Sequence, residues 1–208
     1  MEINLSMDLL WQQISNTGAL ECVAVCFGVT EVLLARKDKV LLYPAGIISI
    51  CAGAVVLIQA KLYAETLLNA YYLVMSIYGW AKWNSKSGFG APQISRSSKI
   101  EQLVSWGIAL VGWGVLYGFL TGFTDSDVPL LDSLISSTAW AGMWLLAKRK
   151  LENWIWLNIS NLIAIPLLIY KGLILFAILT VFLFVVAIFG YLDWKKKLEN
   201  DPYELQPV

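Results

Sequence analysis

Histidine is absent from the sequence, and cysteine occurs only three times in 208 residues. The chain therefore lacks the commonest general base and the usual proton carrier. Cys22 and Cys26 share one helical face, but a zinc site needs at least two further ligands, and no second cluster supplies them. We predict neither a metal site nor a cofactor.

Net charge and catalytic motifs are missing as well. Fifteen basic and fifteen acidic residues cancel, which leaves no overall attraction to nucleic acid. The sequence has no glycine-rich phosphate loop, no nucleophile elbow and no paired-carboxylate signature. We therefore predict that the protein is not an enzyme and that nucleic acid is not a partner.

What the chain has in excess is apolar sequence, in seven long segments. A helix needs about 20 apolar residues to cross a hydrocarbon core about 30 Å thick, because its backbone groups must be hydrogen-bonded internally there. Seven segments near this length predict an all-α membrane protein with one transmembrane domain, 1–208. The predicted spans are residues 17–35, 40–60, 64–83, 103–123, 128–147, 154–170 and 173–194.

The basic residues indicate how these spans are oriented. Thirteen of the fifteen lie at one set of alternating span ends, and only Lys61 and Lys171 lie at the other. Because Lys and Arg are biased toward cytoplasmic loops, we predict that the N-terminus is outside and the C-terminus is in the cytoplasm. The residues of the short polar tail at 201–208 do not indicate a role for it.

Short strings recur at a nearly constant spacing. Leu-Leu-Ala-Arg at 33–36 returns as Leu-Leu-Ala-Lys at 145–148, and Tyr-Gly-Trp at 78–80 returns as Phe-Gly-Tyr at 189–191. Four crossings separate the copies, so both enter the membrane in the same direction, which is the parallel arrangement of the SWEET transporters. The alternative is that such strings recur by composition alone. The predicted units are repeat one (17–83), a connector helix (103–123) and repeat two (128–194).

Polar and aromatic side chains form stripes on three of the spans. They recur at spacings of three and four, which puts them on one face of each helix. Because polar side chains are costly in lipid, we expect these faces to enclose a substrate cavity between the repeats. The predicted substrate-binding residues are Asn69, Tyr72, Ser76 and Trp80 in span three, Ser137, Trp140 and Trp144 in span five, and Trp154, Asn158 and Asn161 in span six.

This predicted cavity has indoles and amides but no fixed acid or base at its centre. Indole faces attract cations, and asparagine offers both a donor and an acceptor, so the expected ligand is a flat, hydrogen-bonding, cationic ring. Glu31 is expected to pair with basic residues near the membrane surface. Trp83 and Trp194 are assigned to the interfacial aromatic belt.

Three residues are predicted to take part in gating. Pro44 and Pro166 each fall inside a span, where a proline can act as a bend point for opening and closing. Glu65, at the outer end of span three, fits a substrate gate and a structural ion pair equally well.

Several strings resemble those of the bacterial PnuC family of vitamin transporters. They stand in order along nearly the whole chain, with Tyr-Pro-Ala-Gly at 43–46, Leu-Tyr-Ala-Glu at 62–65, Tyr-Gly-Trp-Ala-Lys-Trp at 78–83 and Leu-Glu-Asn-Trp at 151–154. The resemblance implies a SWEET-like 3+1+3 fold in the bacterial inner membrane and uptake of nicotinamide riboside by facilitated diffusion. It further implies that a cytoplasmic kinase traps the substrate and that the chain forms a homo-oligomer, expected to be a trimer.

The chain departs from the nicotinamide riboside pattern at two positions. Asn69 and Met143 stand where family members commonly carry glutamine, whereas Asn161 keeps the polar residue of span six. An altered buried contact can change specificity by orders of magnitude. Thiamine, carried by relatives of the same fold, is therefore the alternative substrate. The rival predictions from other classes are an intramembrane enzyme and a structural or sensory membrane protein.

Overall fold

A computed structural model describes residues 18–59, 63–84, 93–124, 126–171 and 174–200, and this part of the chain contains seven α-helices. Within these ranges the side chains at 21, 56–59, 63–68 and 174–175 are not among the described parts of the structure. The prediction of an all-α chain with seven long helices is confirmed. The helices are α1 (Ala19–Arg36), α2 (Leu42–Gln59), α3 (Tyr63–Trp83), α4 (Lys99–Phe123), α5 (Pro129–Ala147), α6 (Asn153–Tyr170) and α7 (Ile174–Glu199). Among the described residues, four segments within α4 to α7 are long and apolar enough to cross a membrane.

Local capping chemistry sets several helix ends. Ser98 accepts a hydrogen bond from the backbone N–H of Glu101 while the Glu101 carboxylate accepts one from the backbone of Ser98, so α4 begins four residues before the predicted span. Pro129 occupies the first turn of α5, where its missing N–H removes no helical bond. After α1 and α5 the chain turns through Asp38 and Arg149, whose φ angles are 60° and 56°.

Six of the helices form a closed ring. Its order is α1, α2, α3, α5, α6 and α7, and α7 returns to pack against α1. The seventh helix, α4, lies outside the ring and packs on α5. Helices α1 and α5 are therefore on opposite sides of the ring. The first three helices meet the last three at two junctions, where α3 packs against α5 and α7 packs against α1.

Aromatic contacts recur in the two halves at the same spacing. Tyr43 meets Trp83 edge to face with ring centroids 5.2 Å apart, and Trp154 meets Trp194 in the same way at 5.6 Å. One constant shift in residue number, which we call the repeat shift, carries position 43 onto 154 and position 83 onto 194. A parallel repeat predicts such matched contacts, so these pairs support that prediction.

Two hydrogen bonds between helices are also related by the repeat shift. The Ser49 hydroxyl donates to the Ala24 carbonyl at 2.7 Å, and the Ser160 hydroxyl donates to the Ile135 carbonyl at 2.9 Å. The repeat shift carries both partners of the first bond onto those of the second. Each bond ties the second helix of a half to the first, which lets the helix backbones pack closely.

Trp83 and Trp194 do not belong to an interfacial belt, which corrects the prediction from sequence. Their side chains are 3% and 0% exposed and lie in one core cluster. The indole N–H of Trp83 donates to the Ala147 carbonyl at 3.2 Å, and that of Trp194 donates to the Ala35 carbonyl at 3.0 Å. Each bond crosses a junction between the halves and satisfies a carbonyl at a helix end.

The segment before α4 is clamped to the turn between α5 and α6. Backbone bonds join Ser95 to Arg149 and Leu151, and the Glu152 carboxylate accepts hydrogen bonds from the Ser97 N–H and hydroxyl at 2.8 and 2.6 Å. The amide of Asn153 donates to the Lys150 carbonyl at 2.6 Å. Much of the Leu-Glu-Asn-Trp string is thus structural.

Candidate binding cavity

A cavity of about 260 Å³ lies inside the ring, between the two halves. Five helices contribute to its wall, which combines two aromatic rings, one carboxylate and a majority of aliphatic side chains. The lining residues are Glu31, Val32 and Ala35 of α1, Ile50 of α2, Tyr72 of α3, Ala139, Met143 and Leu146 of α5, and Trp154 and Leu157 of α6.

A second cavity of about 330 Å³ adjoins the first. The two share Glu31, Val32 and Ile50, and the second extends between α1, α2 and α7 to the side chain of Asn69. Its polar lining includes Ser49, whose hydroxyl is already engaged by the Ala24 carbonyl. Asn69 therefore brings a carboxamide to a largely apolar space.

Two aromatic groups on the wall belong to the predicted binding set. Tyr72 projects from α3 and Trp154 from the first turn of α6. Trp154 is 1% exposed, and its indole N–H has no hydrogen-bond partner in the described part of the chain. A buried donor without a partner is costly, so a ligand acceptor in the cavity would stabilise this group.

Glu31 corrects the prediction that the cavity has no acid at its centre. Its carboxylate lies on the wall of both cavities. The basic residue closest to it in α1, Arg36, instead pairs with Asp193 at 2.6 Å. The sequence contained a signal for this position, because a carboxylate within an apolar span is by default a candidate functional group.

An ion pair lies beyond the C-terminus of α1, three residues from the cavity-lining Ala35. Arg149 Nε lies 3.0 Å from Asp38 Oδ1, and the guanidinium stands 3.9 Å from the centre of the Trp83 ring. Lys197 adds a weaker contact, with its Nζ 3.5 Å from Asp38 Oδ2. Asp38 and Arg149 follow α1 and α5, so the pair links opposite sides of the ring.

The two residues of this ion pair also occupy corresponding positions in the two halves. The repeat shift carries Asp38 onto Arg149, and the two share the same left-handed backbone conformation. Ala35 and Leu146, three residues before each of them, both line the cavity. In a parallel repeat, corresponding residues can meet each other only along the axis that relates the two copies, so we call this contact the axial contact.

The polar stripe predicted on α5 faces the connector helix rather than the cavity. The ring of Trp140 and the Cβ of Ser137 lie next to Gly112 of α4, and Trp144 packs in the cluster formed by α4, α5 and α6. The cavity is lined by the neighbouring face of α5, with Ala139, Met143 and Leu146. A serine-rich face next to glycine allows close helix packing, which explains this placement.

Trp140 and Trp144 have partners of their own. The Trp140 ring lies 4.6 Å from that of Tyr71, whose hydroxyl donates to the Trp140 carbonyl at 3.3 Å. Lys148 stands 4.5 Å over the Trp144 ring. These contacts pack both rings against neighbouring side chains, and the Trp140 indole N–H has no hydrogen-bond partner among the described residues.

The remaining predicted binding residues lie away from the two cavities described. Ser76 is buried in α3 with a hydroxyl that has no partner among the described residues, and Trp80 is 41% exposed near the end of the same helix. Asn158 lines a groove between α6 and α7 whose walls include the exposed Ile155 and Leu162. Asn161 is partly buried on α6.

The three predicted gating residues have different surroundings. Pro44 lies in the first turn of α2, where a proline fits without breaking a helical bond, so it is not a bend within a helix. Pro166 is inside α6 and leaves the carbonyl four residues earlier without its usual donor. Glu65 falls in α3, but its side chain is outside the described residues.

A ring of apolar helices around a cavity is an arrangement typical of a multi-pass membrane transporter. The sequence profile of the nicotinamide mononucleotide transporter family matches residues 18–196. The chain therefore belongs to this family, and the resemblance to PnuC proteins is confirmed. It is a multi-pass protein of the inner membrane.

Individual relatives agree with this assignment. The chain is 22% identical over 201 residues to the nicotinamide riboside transporter PnuC of Escherichia coli (strain K12), with 84% of each chain covered. The PnuC of Shigella flexneri gives the same values. A crystal structure of the vitamin B3 transporter PnuC superposes with a TM-score of 0.70 at 22% identity, covering 92% of this chain and 87% of that one. This structural likeness shows that the fold is shared.

Proposed function

We propose that the protein takes up nicotinamide riboside across the inner membrane by facilitated diffusion. The observation that carries this proposal is the cavity between the halves, whose wall offers two aromatic rings and a carboxylate in an apolar surround. Such a wall fits a flat cationic ring. The PnuC proteins of Escherichia coli and Shigella flexneri are named for transport of nicotinamide riboside, which supports the same substrate here.

In this proposal Tyr72 and Trp154 stack on the ring, and the Trp154 N–H and the Asn69 amide form hydrogen bonds with the substrate. Asn161 lies on neither cavity wall in this structure, and we assign it to the site only because the repeat shift carries Ile50, which lines both cavities, onto Asn161. Hydrogen bonds that a wrong substrate leaves unpaired in a buried site are what provide selectivity.

Transport then requires that the cavity open to each side in turn. With the N-terminus outside, the basic ends of α1, α5 and α7 face the cytoplasm, and the Asp38–Arg149 pair closes the cytoplasmic end of the cavity. Substrate enters from the outside, the pair separates, and the substrate leaves to the cytoplasm. Phosphorylation by a cytoplasmic kinase removes it and keeps the gradient inward. We expect a homo-oligomer, by resemblance a trimer.

Thiamine is the second candidate substrate. The two positions at which the chain departs from the nicotinamide riboside pattern are both on cavity walls: Met143 in the first cavity and Asn69 in the second. Methionine in place of glutamine at position 143 removes a hydrogen-bonding group from the cavity wall. Asparagine in place of glutamine at position 69 keeps the amide but holds it on a shorter side chain. Thiamine keeps the cationic ring while presenting different hydrogen-bonding edges.

Calorimetric binding to nicotinamide riboside, thiamine and riboflavin in parallel tests the substrate, and uptake into proteoliposomes tests transport. Asn161→Leu should abolish uptake without preventing membrane insertion, because it removes the partly buried amide that this proposal assigns to substrate recognition through the relation between the halves. Asn84→Leu, at an exposed position beyond α3, is the matched control and should transport normally. Uptake should not respond to imposed proton or sodium gradients. Unchanged transport by Asn161→Leu would mean that the site is misplaced.

A further inference from the structure

Glu31 has a position that no other acidic side chain on the described cavity walls shares. It is common to both cavities, so its carboxylate stands where they join. Gly46 of α2 leaves the space for it: a Cβ at Gly46 would lie 2.5 Å from Glu31 Oε1 and 2.6 Å from its Cδ. Any larger residue at position 46 would displace the carboxylate.

Within the described part of the chain Glu31 forms no hydrogen bond or ion pair. The strong cations near this end of the cavity are already paired, Arg36 with Asp193 and Arg149 with Asp38. The side chains that share the first cavity with Glu31 are aliphatic or aromatic, including Val32. A carboxylate in such an apolar space lacks the compensating charge that buried charges normally have.

A cationic ligand would supply that charge. Tyr72 and Trp154 line the same cavity as Glu31, so a flat ring held there could meet a carboxylate on one side and aromatic faces on others. We propose that Glu31 is the counter-charge for a positively charged ring and determines the specificity of the site for cationic substrates. This inference rests on the proposed function and names the group that recognises the charge.

The test compares two ligands that differ in ring charge. Nicotinamide riboside has a pyridinium ring, whereas its 1,4-dihydro form keeps the carboxamide and the ribose on an uncharged ring. The wild-type protein should bind the cation at least about 10-fold more tightly than the neutral form. Glu31→Gln should weaken cation binding by roughly 10- to 100-fold and leave binding of the neutral form unchanged.

Two further variants separate charge from packing. Glu31→Asp keeps the carboxylate and should retain the preference for the cation. Glu199→Gln removes a negative charge outside the cavity, at the exposed end of α7, and should bind both ligands as the wild type does. Size-exclusion elution and melting temperature in detergent show which variants are folded.

Equal loss of both ligands in Glu31→Gln would assign Glu31 a structural role and overturn the inference, as would unchanged binding of both. If the wild type binds the charged and neutral forms equally well, the inference fails whether or not the variants fold. If the wild type binds neither form, the proposed substrate itself is wrong. The failure of the counter-charge and the failure of the proposed function are therefore distinguishable.

Discussion

The proposal that the axial contact is a gate can be tested by removing one charge of the Asp38–Arg149 pair. Asp38→Asn keeps the size of the side chain and takes away the charge that faces Arg149 at 3.0 Å. The side chains of Arg149 and Asp38 are only 15% and 20% exposed, so solvent screens them little. We expect the variant to populate the state in which this end of the cavity is open.

The size of the effect follows from the burial of the pair. Removing one partner of a fully buried pair costs about 3–5 kcal/mol, and exposed pairs contribute about 0–1 kcal/mol. A pair that is about four-fifths buried, in which Arg149 keeps its contact with the Trp83 ring, falls between these limits at about 2 kcal/mol. That corresponds to a change of about 30-fold in the ratio of open to closed states.

Cysteine accessibility provides the assay. Ala35→Cys, just inside the pair on the cavity wall, is introduced into a protein in which the three native cysteines are replaced. Its rate of reaction with a charged, membrane-impermeant thiol reagent added from the gate side should rise about 30-fold in Asp38→Asn, since only the open state reacts. Exchanging the two charges, Asp38→Arg with Arg149→Asp, should restore much of the protection.

The matched control is Asp193→Asn, which breaks an ion pair at the same end of the molecule. That pair joins the neighbouring helices α1 and α7, and its side chains are 34% and 41% exposed, so little change in accessibility is expected. If Asp38→Asn reacts no faster than the wild type, or if Asp193→Asn reacts as fast, the axial contact is not the gate.

Two predictions concern the relation between the halves. Gly79→Ala and Gly190→Ala should each destabilise the protein by about 1–3 kcal/mol, because a Cβ would overlap the rings of Tyr43 and Trp154, whereas Gly118→Ala, with no atom within 4 Å, should be neutral or slightly stabilising. Melting temperatures in detergent measure this, and equal tolerance of all three would contradict the packing. Ser49→Ala and Ser160→Ala should each cost about 0.6 kcal/mol, since each loses one bond between helices. A large difference between the two in chemical unfolding would count against equivalent halves.

The sequence by itself determined the seven helices of the described residues, although their ends differ from the predicted spans by up to five residues. Apolar length dictates a membrane helix because lipid offers no partner for backbone groups. Local chemistry then caps it, as Ser98 and Glu101 do for α4. The sequence also indicates a relation between the halves, because Gly79 and Gly190 each have an aromatic residue on both sides. The rings that pack against these glycines belong to Tyr43 and Trp154. These contacts could not be predicted from the sequence, because each ring comes from another helix.

Only the tertiary structure decided which face of each helix meets the cavity. Periodicity placed Ser137, Trp140 and Trp144 on one stripe, but it could not tell whether that stripe meets the connector helix or the substrate space. Trp194 reads as an interfacial residue until its indole is seen to donate to Ala35, 159 positions earlier in the chain. Glu31 likewise has no local partner that reveals its role. Such assignments depend on which helices become neighbours, and that choice is set by packing over the whole ring rather than by any local window of sequence.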